Sequence, residues 1–320
     1  MELLDLDIVD RIAEELSMEP SEVYRIAISA DSRYREITLR IPGKKERKVY
    51  QPSSELRVIQ RWCSVRLFSR LPVHESCFSY VQGRNIAMHA KAHSANGYLA
   101  RIDIRNFFPS LQRQNVAKLL DRNRRQLDLV TEREVWLLSL FATRSGRLVI
   151  GAPSSPALSN ALLYDFDAKW SQLCGEMQVI YTRYADDIYL STAERNKLSD
   201  IIVALKTDLV NLPGFSFSIN SEKDVFTSRR RLKRVTGIVI TPQGELSLGR
   251  DKKRKVKALV HQALDGKLAT KEVESLLGML SHIDSIDSSF SMSLIRKYGP
   301  EYRKRVSALL ASGPIPNSLT

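Results

Sequence analysis

The spacing of apolar residues predicts helices and strands that alternate along the chain. Between residues 53 and 70, Leu56, Ile59, Cys63 and Leu67 recur at helical spacing after a serine that can cap the helix. Other helices are predicted at 113–122, 131–143, 155–172, 195–211 and from 250 to near 311, with two short ones within 1–30. Alternating runs predict strands at 34–41, 47–50, 98–104, 179–184, 188–191, 215–219 and 234–240. This order predicts an α+β fold, with a sheet backed by helices and an all-helical C-terminal region.

Composition narrows the class of protein. The chain has 320 residues, of which 43% are hydrophobic and 27% charged, so it can bury the core of one large or two medium domains. No run approaches the roughly 18 apolar residues of a membrane helix, and the acidic N-terminus is unlike a secretory signal. Cys63, Cys77 and Cys174 lack metal-binding spacing. We therefore expect reduced core thiols in a cytoplasmic protein with no membrane partner.

The chain is strongly basic, with a formal net charge of +13. Residues 226–257 contribute much of it, because eleven Lys and Arg face only two acidic residues there. A solvated charged surface is one interpretation of such a run. We favour a nucleic-acid partner, because two basic clusters flank a predicted strand.

Three aspartates form the strongest candidate for chemistry. Asp186 and Asp187 follow Tyr184 and Ala185 between two apolar strand segments, where a hairpin tip would let them project together. A polar turn would explain this pair, but it would not explain Asp103, which lies in a second apolar strand. Three carboxylates from adjacent strands would suit two hard cations that prefer oxygen ligands.

Five motifs in a fixed order make the chain resemble the bacterial retron reverse transcriptases over about residues 30–285. They are IDIRNFFPS at 102–110, GAPSSP with LSN at 151–160, YADD at 184–187, FSINSEK at 217–223 and VTG at 235–237. The resemblance implies a right-hand polymerase with fingers, palm and thumb. We expect N-terminal helices and fingers at 1–95, a palm at 96–240 with a fingers insertion at about 111–160, and the end of a primer-grip hairpin with a helical thumb at 241–320.

The resemblance also implies roles for individual residues at the reaction centre. Asp103 and Asp186 would be the principal ligands of two Mg²⁺ ions, with Mn²⁺ as an alternative, and Asp187 would assist. Phe108 would lie beneath the sugar of the incoming nucleotide and exclude a 2′-hydroxyl, whereas Phe107 would be a core residue. Lys223 would neutralise or protonate pyrophosphate, although a solvated surface lysine is an equal alternative. The predicted nucleotide-binding residues are Ile104, Phe108, Gly151, Ala152, Pro153, Lys223, Arg47 and Lys48.

Two local features near these residues can be interpreted physically. Gly151 and two prolines make a stiff loop, and Ser154 or Ser155 can cap the helix that follows. Lys44 and Lys45 are expected in a plain solvated turn. Ile150 stands where relatives often have Gln, which removes a polar contact near the nucleotide.

The remaining predicted residues would contact nucleic acid. The hairpin over 235–248 would hold the primer end, and the helix after Arg250 would lie against the nucleic-acid backbone. His89 replaces the Asn of a retron signature that ends at His93. A pair of His at i and i+4 could bind zinc, but with no third ligand nearby we expect hydrogen bonding instead. The predicted nucleic-acid-binding residues are Tyr184, His93, Val235, Thr236, Gly237, Arg250, Lys252, Lys253, Arg254, Lys255 and Lys257.

The resemblance implies an RNA-directed DNA polymerase that uses dNTPs and a dedicated structured non-coding RNA as template and primer. It further implies branched RNA–DNA begun from a 2′-hydroxyl, and an effector protein acting in defence against phage. The alternatives are another bacterial reverse transcriptase (group II intron, diversity-generating or abortive-infection type), an RNA-dependent RNA polymerase, or an RNA-binding scaffold without catalysis. The triplet Val235-Thr236-Gly237 counts against the first, Phe108 against the second and the intact carboxylates against the third.

Overall fold

A computed structural model describes residues 7–40, 46–228 and 231–311. The chain divides into two compact units, one made of Met1–Arg84 and Ala100–Phe226 and the other of Asn85–Leu99 and Thr227–Thr320. No helix in the described ranges is long and apolar enough to cross a membrane. The three-part division into fingers, palm and thumb stays a prediction.

The first unit contains most of the helices. Asp7 caps the helix that begins at Ile8 by accepting hydrogen bonds from the N–H groups of Val9 and Asp10. Thr131 and Glu134 form a capping box at the helix that begins at Glu132. In chain order, the helices of this unit are α1 Ile8–Leu16, α2 Pro20–Ile28, α3 Ser54–Arg66, α5 Phe107–Ser110, α6 Arg113–Arg122, α7 Arg124–Leu127, α8 Glu132–Ala142, α9 Ser155–Leu162, α10 Tyr164–Glu176 and α11 Leu198–Val210. Helix α8 is buried along most of its length and packs against α2, α3 and α6, so it is the centre of the helical core.

Two sheets accompany these helices. Strands β1 Tyr34–Leu39 and β2 Arg47–Pro52 form an antiparallel pair. The larger sheet has the order β4-β5-β3-β6, and a further strand, β7, also pairs with β3. Its strands are β3 Tyr98–Arg105, β4 Ile180–Tyr184, β5 Asp187–Thr192, β6 Ser218–Ile219 and β7 Val225–Thr227. Helix α10 packs against β4, the strand at one end of this order.

The second unit has a small sheet and a helical C-terminal region. Helix α4 Ile86–Ala92 packs against β8 Lys233–Val235 and β9 Ile238–Ile240, and β10 Leu246–Ser247 completes an antiparallel sheet of order β10-β9-β8. The four C-terminal helices are α12 Arg250–Leu264, α13 Thr270–Ile286, α14 Ser288–Tyr298 and α15 Tyr302–Ala311. Helix α13 packs against the other three through buried residues such as Leu276 and Leu280.

The predicted α+β class is confirmed, and three predicted elements are wrong in their bounds. The helix expected over 155–172 is two helices, because Leu163 leaves the helical conformation. The strand expected over 215–219 is paired only at 218–219. The strand expected over 234–240 is a hairpin, because Thr236 and Gly237 both adopt positive φ, the geometry of a two-residue turn. The three cysteines are free and buried, as expected.

Candidate active site

The central strand of the larger sheet carries Asp103, and hydrogen bonds connect it to both neighbouring strands. The N–H of Ile104 donates to the carbonyl of Asp186 at 2.9 Å. The carbonyl of Asp103 accepts from the N–H of Asn220 at 2.9 Å. The sheet therefore places Asp103 beside the hairpin that carries Asp186, although 83 residues separate them in the chain.

Strands β4 and β5 form a tight hairpin whose tip is residues 185 and 186. Tyr184 lies opposite Asp187 in register, and Ala185 adopts φ +54°, the left-handed conformation. The predicted hairpin tip is confirmed, and it places Asp186 in the turn and Asp187 at the start of β5.

The protonation of Asp186 and of Asp187 depends on burial and on the charged groups around them. Burial raises the pKa of Asp186, and the charge of Asp103 adds to this, whereas the cations of Lys223 and Arg47 oppose it. Burial raises the pKa of Asp187 to about 6; Arg101 opposes this, and the charges of Asp186 and Asp103 add to it. The cluster therefore gathers negative charge in a poorly solvated place, where a cation would stabilise the charged forms.

Lys223 is not a plain surface lysine. Its Nζ atom lies 2.8 Å from Oδ1 of Asp103, and its side chain is 48% exposed. The ammonium therefore balances the charge of a carboxylate that is almost fully buried. Within the described residues, no three His, Cys, Asp or Glu side chains are grouped as a ready-made metal site.

The donor atoms nevertheless fit a hard divalent cation. The available ligands are carboxylate oxygens alone, which Mg²⁺ prefers. The Oδ1 atom of Asp187 is buried and accepts no hydrogen bond from the described part of the chain. The Nε atom of Arg101 lies 3.8 Å from this oxygen, which is too far for a hydrogen bond, and a divalent cation would satisfy the buried acceptor.

Two residues beside the carboxylates were missed by the sequence analysis. Arg101, two positions before Asp103 on the same strand, donates to the carbonyl of Lys223 at 3.1 Å, and its Nε lies 3.8 Å from Oδ1 of Asp187. Tyr80 is about half exposed. The buried part of its surroundings raises the pKa of its hydroxyl most, and the negative charge of Asp186 raises it further. The alternation of β3 could have pointed to Arg101, because residues two apart share a face. Nothing local pointed to Tyr80.

The residues after Asp103 divide into core and accessible positions. Phe107 is buried and stacks on Phe217 with 6.4 Å between ring centroids, as expected for a core residue. Phe108 is half-buried, so part of its ring can be reached from solvent. The side chain of Ile104 is buried and its N–H is bonded to Asp186, so neither group is available to a nucleotide.

The loop that begins at Gly151 lies against strand β2. The N–H of Tyr50 donates to the carbonyl of Ile150 at 2.8 Å. A Cβ atom on Gly151 would lie 2.6 Å from the carbonyl oxygen of Tyr50, and Gly151 has φ +108°. Only glycine fits here, because both the space and the backbone conformation exclude a side chain.

The predicted serine cap of helix α9 is wrong. Ser154 is in the N-cap position, but its side chain makes no capping hydrogen bond. The hydroxyl of Ser155 donates to the carbonyl of Val149 at 2.8 Å instead. Ala152 is buried, and the carbonyl of Pro153 accepts from Ser64. These contacts fix the loop to the core rather than opening the helix N-terminus.

The predicted fingers cations differ in availability. Arg47 is exposed on β2, and its charge reaches Asp186. Lys48 forms an ion pair with Glu36 at 2.8 Å, so its charge is already balanced. Lys44 and Lys45 lie outside the described residues.

Comparison with known proteins identifies the family. A model of the family described as reverse transcriptase (RNA-dependent DNA polymerase) matches residues 40–263, more than two thirds of the chain. The chain belongs to the reverse transcriptases. It is an RNA-directed DNA polymerase, and enzymes of this family depend on divalent metal ions.

Similarity to individual proteins places this reverse transcriptase with the bacterial retron enzymes. It is 33% identical over 273 residues to the retron Ec83 reverse transcriptase of Escherichia coli, a match that covers 83% of this chain and 87% of that protein. It is 32% identical to the retron Ec86 enzyme of the same organism, with 87% of both chains covered. The retron Mx162 enzyme of Myxococcus xanthus is 27% identical, with 89% of this chain and 65% of that protein covered.

Solved structures support the fold. An apo telomerase from Candida tropicalis matches 94% of this chain with a TM-score of 0.51 and 11% identity. This reverse transcriptase spans 63% of that telomerase chain. Together with the family match, this confirms the predicted right-hand polymerase fold class.

In the second unit of the reverse transcriptase, the two histidines of the variant retron signature are buried. Burial lowers the pKa of His89 to about 3, and burial together with His89 and Lys233 lowers that of His93 well below its ordinary value. The rings meet edge to face with centroids 5.6 Å apart. Both are therefore neutral core groups, and neither presents a charge to RNA.

The retron triplet forms the β8–β9 turn. Val235 is fully buried opposite Ile238, while Thr236 and Gly237 make the turn itself. The carbonyl of Gly237 accepts from Nζ of Lys252 at 3.4 Å. Only the turn residues of the triplet therefore reach the surface.

The basic residues of α12 are not equivalent. Lys253 is paired with the buried Asp287 at 2.7 Å and lies 5.3 Å from the centroid of the Phe290 ring, so it stabilises the helical region. Three others also have intramolecular contacts: Lys252 with Gly237, Arg254 with Asp251, and Lys257 with Phe290. Arg250 and Lys255 are exposed and have no side-chain partner among the described residues. Tyr184, the remaining predicted contact, is half-buried at the end of β4.

Proposed function

We propose that this reverse transcriptase copies a structured non-coding RNA into single-stranded DNA, with chemistry at the carboxylates of Asp103, Asp186 and Asp187. The observation that carries the proposal is the hydrogen bond from Ile104 to Asp186, which joins the strand of Asp103 to the hairpin of the other two. The effect of the Asp103 charge on the pKa values of Asp186 and Asp187 supports the same site. The substrates proposed are dNTPs, as the family description implies.

The proposed reaction is nucleotidyl transfer. A hydroxyl group loses its proton to solvent, and its oxygen forms a bond to the α-phosphorus of a dNTP. The bond between that phosphorus and the oxygen that bridges to the β-phosphate breaks, and pyrophosphate leaves with the electron pair. Asp103, Asp186 and Asp187 would hold two Mg²⁺ ions, or Mn²⁺, which would supply activation of the hydroxyl and charge neutralisation at the phosphates.

Two cationic side chains and one aromatic side chain complete the proposed site. Lys223 carries a proton at Nζ, 2.8 Å from Asp103, and we assign it as proton donor to pyrophosphate. Arg47, exposed and near enough to act on Asp186, would bind the triphosphate. Phe108, with part of its ring accessible, would exclude a 2′-hydroxyl.

Removing one carboxylate tests the site. Asp103→Asn should reduce primer extension to background while leaving RNA affinity within about twofold, because phosphate contacts made elsewhere supply that affinity. The matched control is Asp165→Asn, which neutralises an aspartate on α10 whose side chain is 70% exposed. Extension retained by Asp103→Asn, at the level of the control, would refute the assignment.

Similarity to the retron enzymes supports a finer proposal about the product. The DNA would begin on a 2′-hydroxyl of an internal guanosine of its own template RNA and remain joined to it as a branch. In nucleic acid copurified with the protein, RNase should therefore degrade the RNA and leave DNA whose 5′ end stays blocked by a residual ribonucleotide. A DNA product with an ordinary 5′ end would contradict the branch.

We also propose a role in phage defence together with an effector protein. Plaque counts with and without the neighbouring genes test this role.

The exposed cations of α12 provide the proposed nucleic-acid contact of the second unit. Lys255→Ala should weaken RNA binding and reduce the slope of log affinity against log salt by about 0.7–0.9, the effect of losing one phosphate contact. Lys253→Ala should mainly lower stability, because it leaves Asp287 buried without its cation. An unchanged salt slope for Lys255→Ala would place the contact elsewhere.

A further inference from the structure

Ala185 is a strained residue at the point where the candidate carboxylates begin. Its φ of +54° is a conformation that residues with a Cβ atom rarely adopt. It lies between Tyr184 and Asp186 and is 5% exposed. Something must therefore hold the turn, because alanine by itself would favour a negative φ.

Two side chains bind both backbone polar groups of this residue. The N–H of Ala185 donates to Oγ of Ser79 at 2.8 Å. Its carbonyl accepts from Nη1 of Arg183 at 3.2 Å. Neither bond belongs to the ladder between β4 and β5, so both serve the turn alone.

Arg183 is itself fixed by a buried carboxylate. Arg183 and Asp167 both have no exposed surface, and Nη2 of Arg183 lies 2.6 Å from Oδ2 of Asp167. Its Nε lies 2.8 Å from the other carboxylate oxygen, which also accepts from the hydroxyl of Tyr181 at 2.7 Å. This two-pronged pairing holds the guanidinium in one orientation, with Nη1 aimed at the turn.

Ser79 is itself held by hydrogen bonds to the side chain of Asn160. Nδ2 of Asn160, on helix α9, donates to the carbonyl of Ser79 at 2.7 Å, and the hydroxyl of Ser79 lies 3.4 Å from Oδ1 of Asn160. The segment before Ser79 is also bonded to β4, since the N–H of Arg183 donates to the carbonyl of Ser76 at 2.8 Å. Ser79 and Asn160 are both buried.

An ion pair buried this deeply is not explained by stability alone. Removing two charges from water costs more than their attraction returns in many proteins, and apolar side chains of equal size often serve as well. This pair is joined to a second polar pair, and both converge on one residue next to the carboxylates. A common geometric task accounts for this convergence.

We propose that Ser79 and Arg183, oriented by Asn160 and Asp167, are positioning residues that hold the left-handed turn at Ala185 and so set where the Asp186 and Asp187 carboxylates lie for metal binding. The inference rests on the proposed function, because it concerns the same carboxylates. Without the two bonds, Ala185 relaxes toward negative φ, and the carboxylate of Asp186 turns away from Asp103.

Ser79→Ala is the sharpest test, because it removes the hydroxyl that accepts from the N–H of Ala185. The hydrogen bond from Asn160 to the backbone carbonyl of residue 79 stays possible. The matched control is Ser76→Ala, a buried serine of the same segment whose hydroxyl bonds His74 and does not contact the turn. Binding of Mn²⁺ to the protein without substrates, followed by electron paramagnetic resonance, provides a measurement independent of activity. The Mn²⁺ concentration at half-saturation should rise by about tenfold in Ser79→Ala, because the buried hydrogen bond to Ala185 is lost, and by less than twofold in Ser76→Ala.

A second substitution asks whether the turn conformation is the cause. Ala185→Gly adopts positive φ at little cost, so the pair Ser79→Ala with Ala185→Gly should recover most of the Mn²⁺ affinity and extension rate lost in Ser79→Ala. A general loss of packing would not be repaired by removing a methyl group. Thermal unfolding of each variant shows whether it remains folded.

The outcomes distinguish this inference from the proposed function. If Asp186→Asn binds Mn²⁺ as the unmodified chain does, the metal site itself is wrong. If Asp186→Asn loses binding while Ser79→Ala keeps it, the carboxylates bind metal and the positioning role is refuted. Failure of Ala185→Gly to restore a folded Ser79→Ala protein would equally overturn the role assigned to the turn.

Discussion

Gly151 lets the loop after Ile150 lie directly on strand β2, and its replacement by alanine should be costly. The added Cβ atom would lie 2.6 Å from the carbonyl oxygen of Tyr50 and 2.9 Å from Cγ1 of Val49, whereas real Cβ atoms essentially never come within 3.0 Å of such atoms. The flexible valine can move, but the oxygen belongs to the backbone of a paired strand. The loop must therefore move away from β2.

The magnitude follows from two costs. Holding a residue with a side chain at φ +108° costs about 1–3 kcal/mol. Moving the loop also weakens the bond from Tyr50 to Ile150, worth about 1 kcal/mol. Gly151→Ala should therefore lower the free energy of unfolding by about 2–4 kcal/mol. Since the resemblance predicts that Gly151 contacts the nucleotide, the KM for dNTPs should also rise.

Urea unfolding followed by circular dichroism measures the first effect, and steady-state primer extension measures the second. Gly175→Ala is the matched control, because Gly175 lies in helix α10 and its added Cβ atom would meet nothing within 4 Å. That variant should gain about 0.5–1 kcal/mol from the better helix propensity of alanine. An unfolding free energy for Gly151→Ala equal to that of the unmodified chain would refute the reasoning.

Three further predictions concern the core, the sugar and the pH dependence. Asp167→Ala leaves the Arg183 guanidinium buried without its partner and should lower the free energy of unfolding by about 3–5 kcal/mol in urea titrations, so a loss below about 1 kcal/mol would contradict the buried pair. Phe108→Ala should let primer extension accept ribonucleotides in competition with dNTPs, and an unchanged preference would exclude the steric role. Burial holds the pKa of His89 at about 3 and that of His93 well below its ordinary value. As the pH falls below about 6.5, these histidines therefore bind protons in the unfolded chain before they do so in the folded protein. The stability that is present above this pH should be lost as the pH falls further. His89→Leu should flatten this decline between about pH 7 and pH 5, whereas an equal decline would mean that His89 is not neutral in the fold.

The sequence was informative wherever chemistry depends on residue type and local period. Aspartates within apolar strand segments stand out, because a carboxylate in such a place requires a partner. The prediction that Asp103 and Asp186 lie in adjacent elements followed from this, whereas the fold class followed from the order of the predicted helices and strands. The wrong bounds at Leu163 and at Thr236 arose because apolar residues continue through a break that only backbone conformation reveals.

Tertiary structure alone decided which charges are free and which are already used. Lys253 and Lys255 look alike in sequence, but helix packing brings Asp287 to the first and leaves the second exposed. In sequence, Arg183 resembles any other strand residue. The fold pairs it with Asp167, which lies 16 residues earlier in the chain. Local sequence fixes period and residue type, whereas ion pairs and buried hydrogen bonds depend on which distant elements the core brings together, and that is set by the packing of the whole chain.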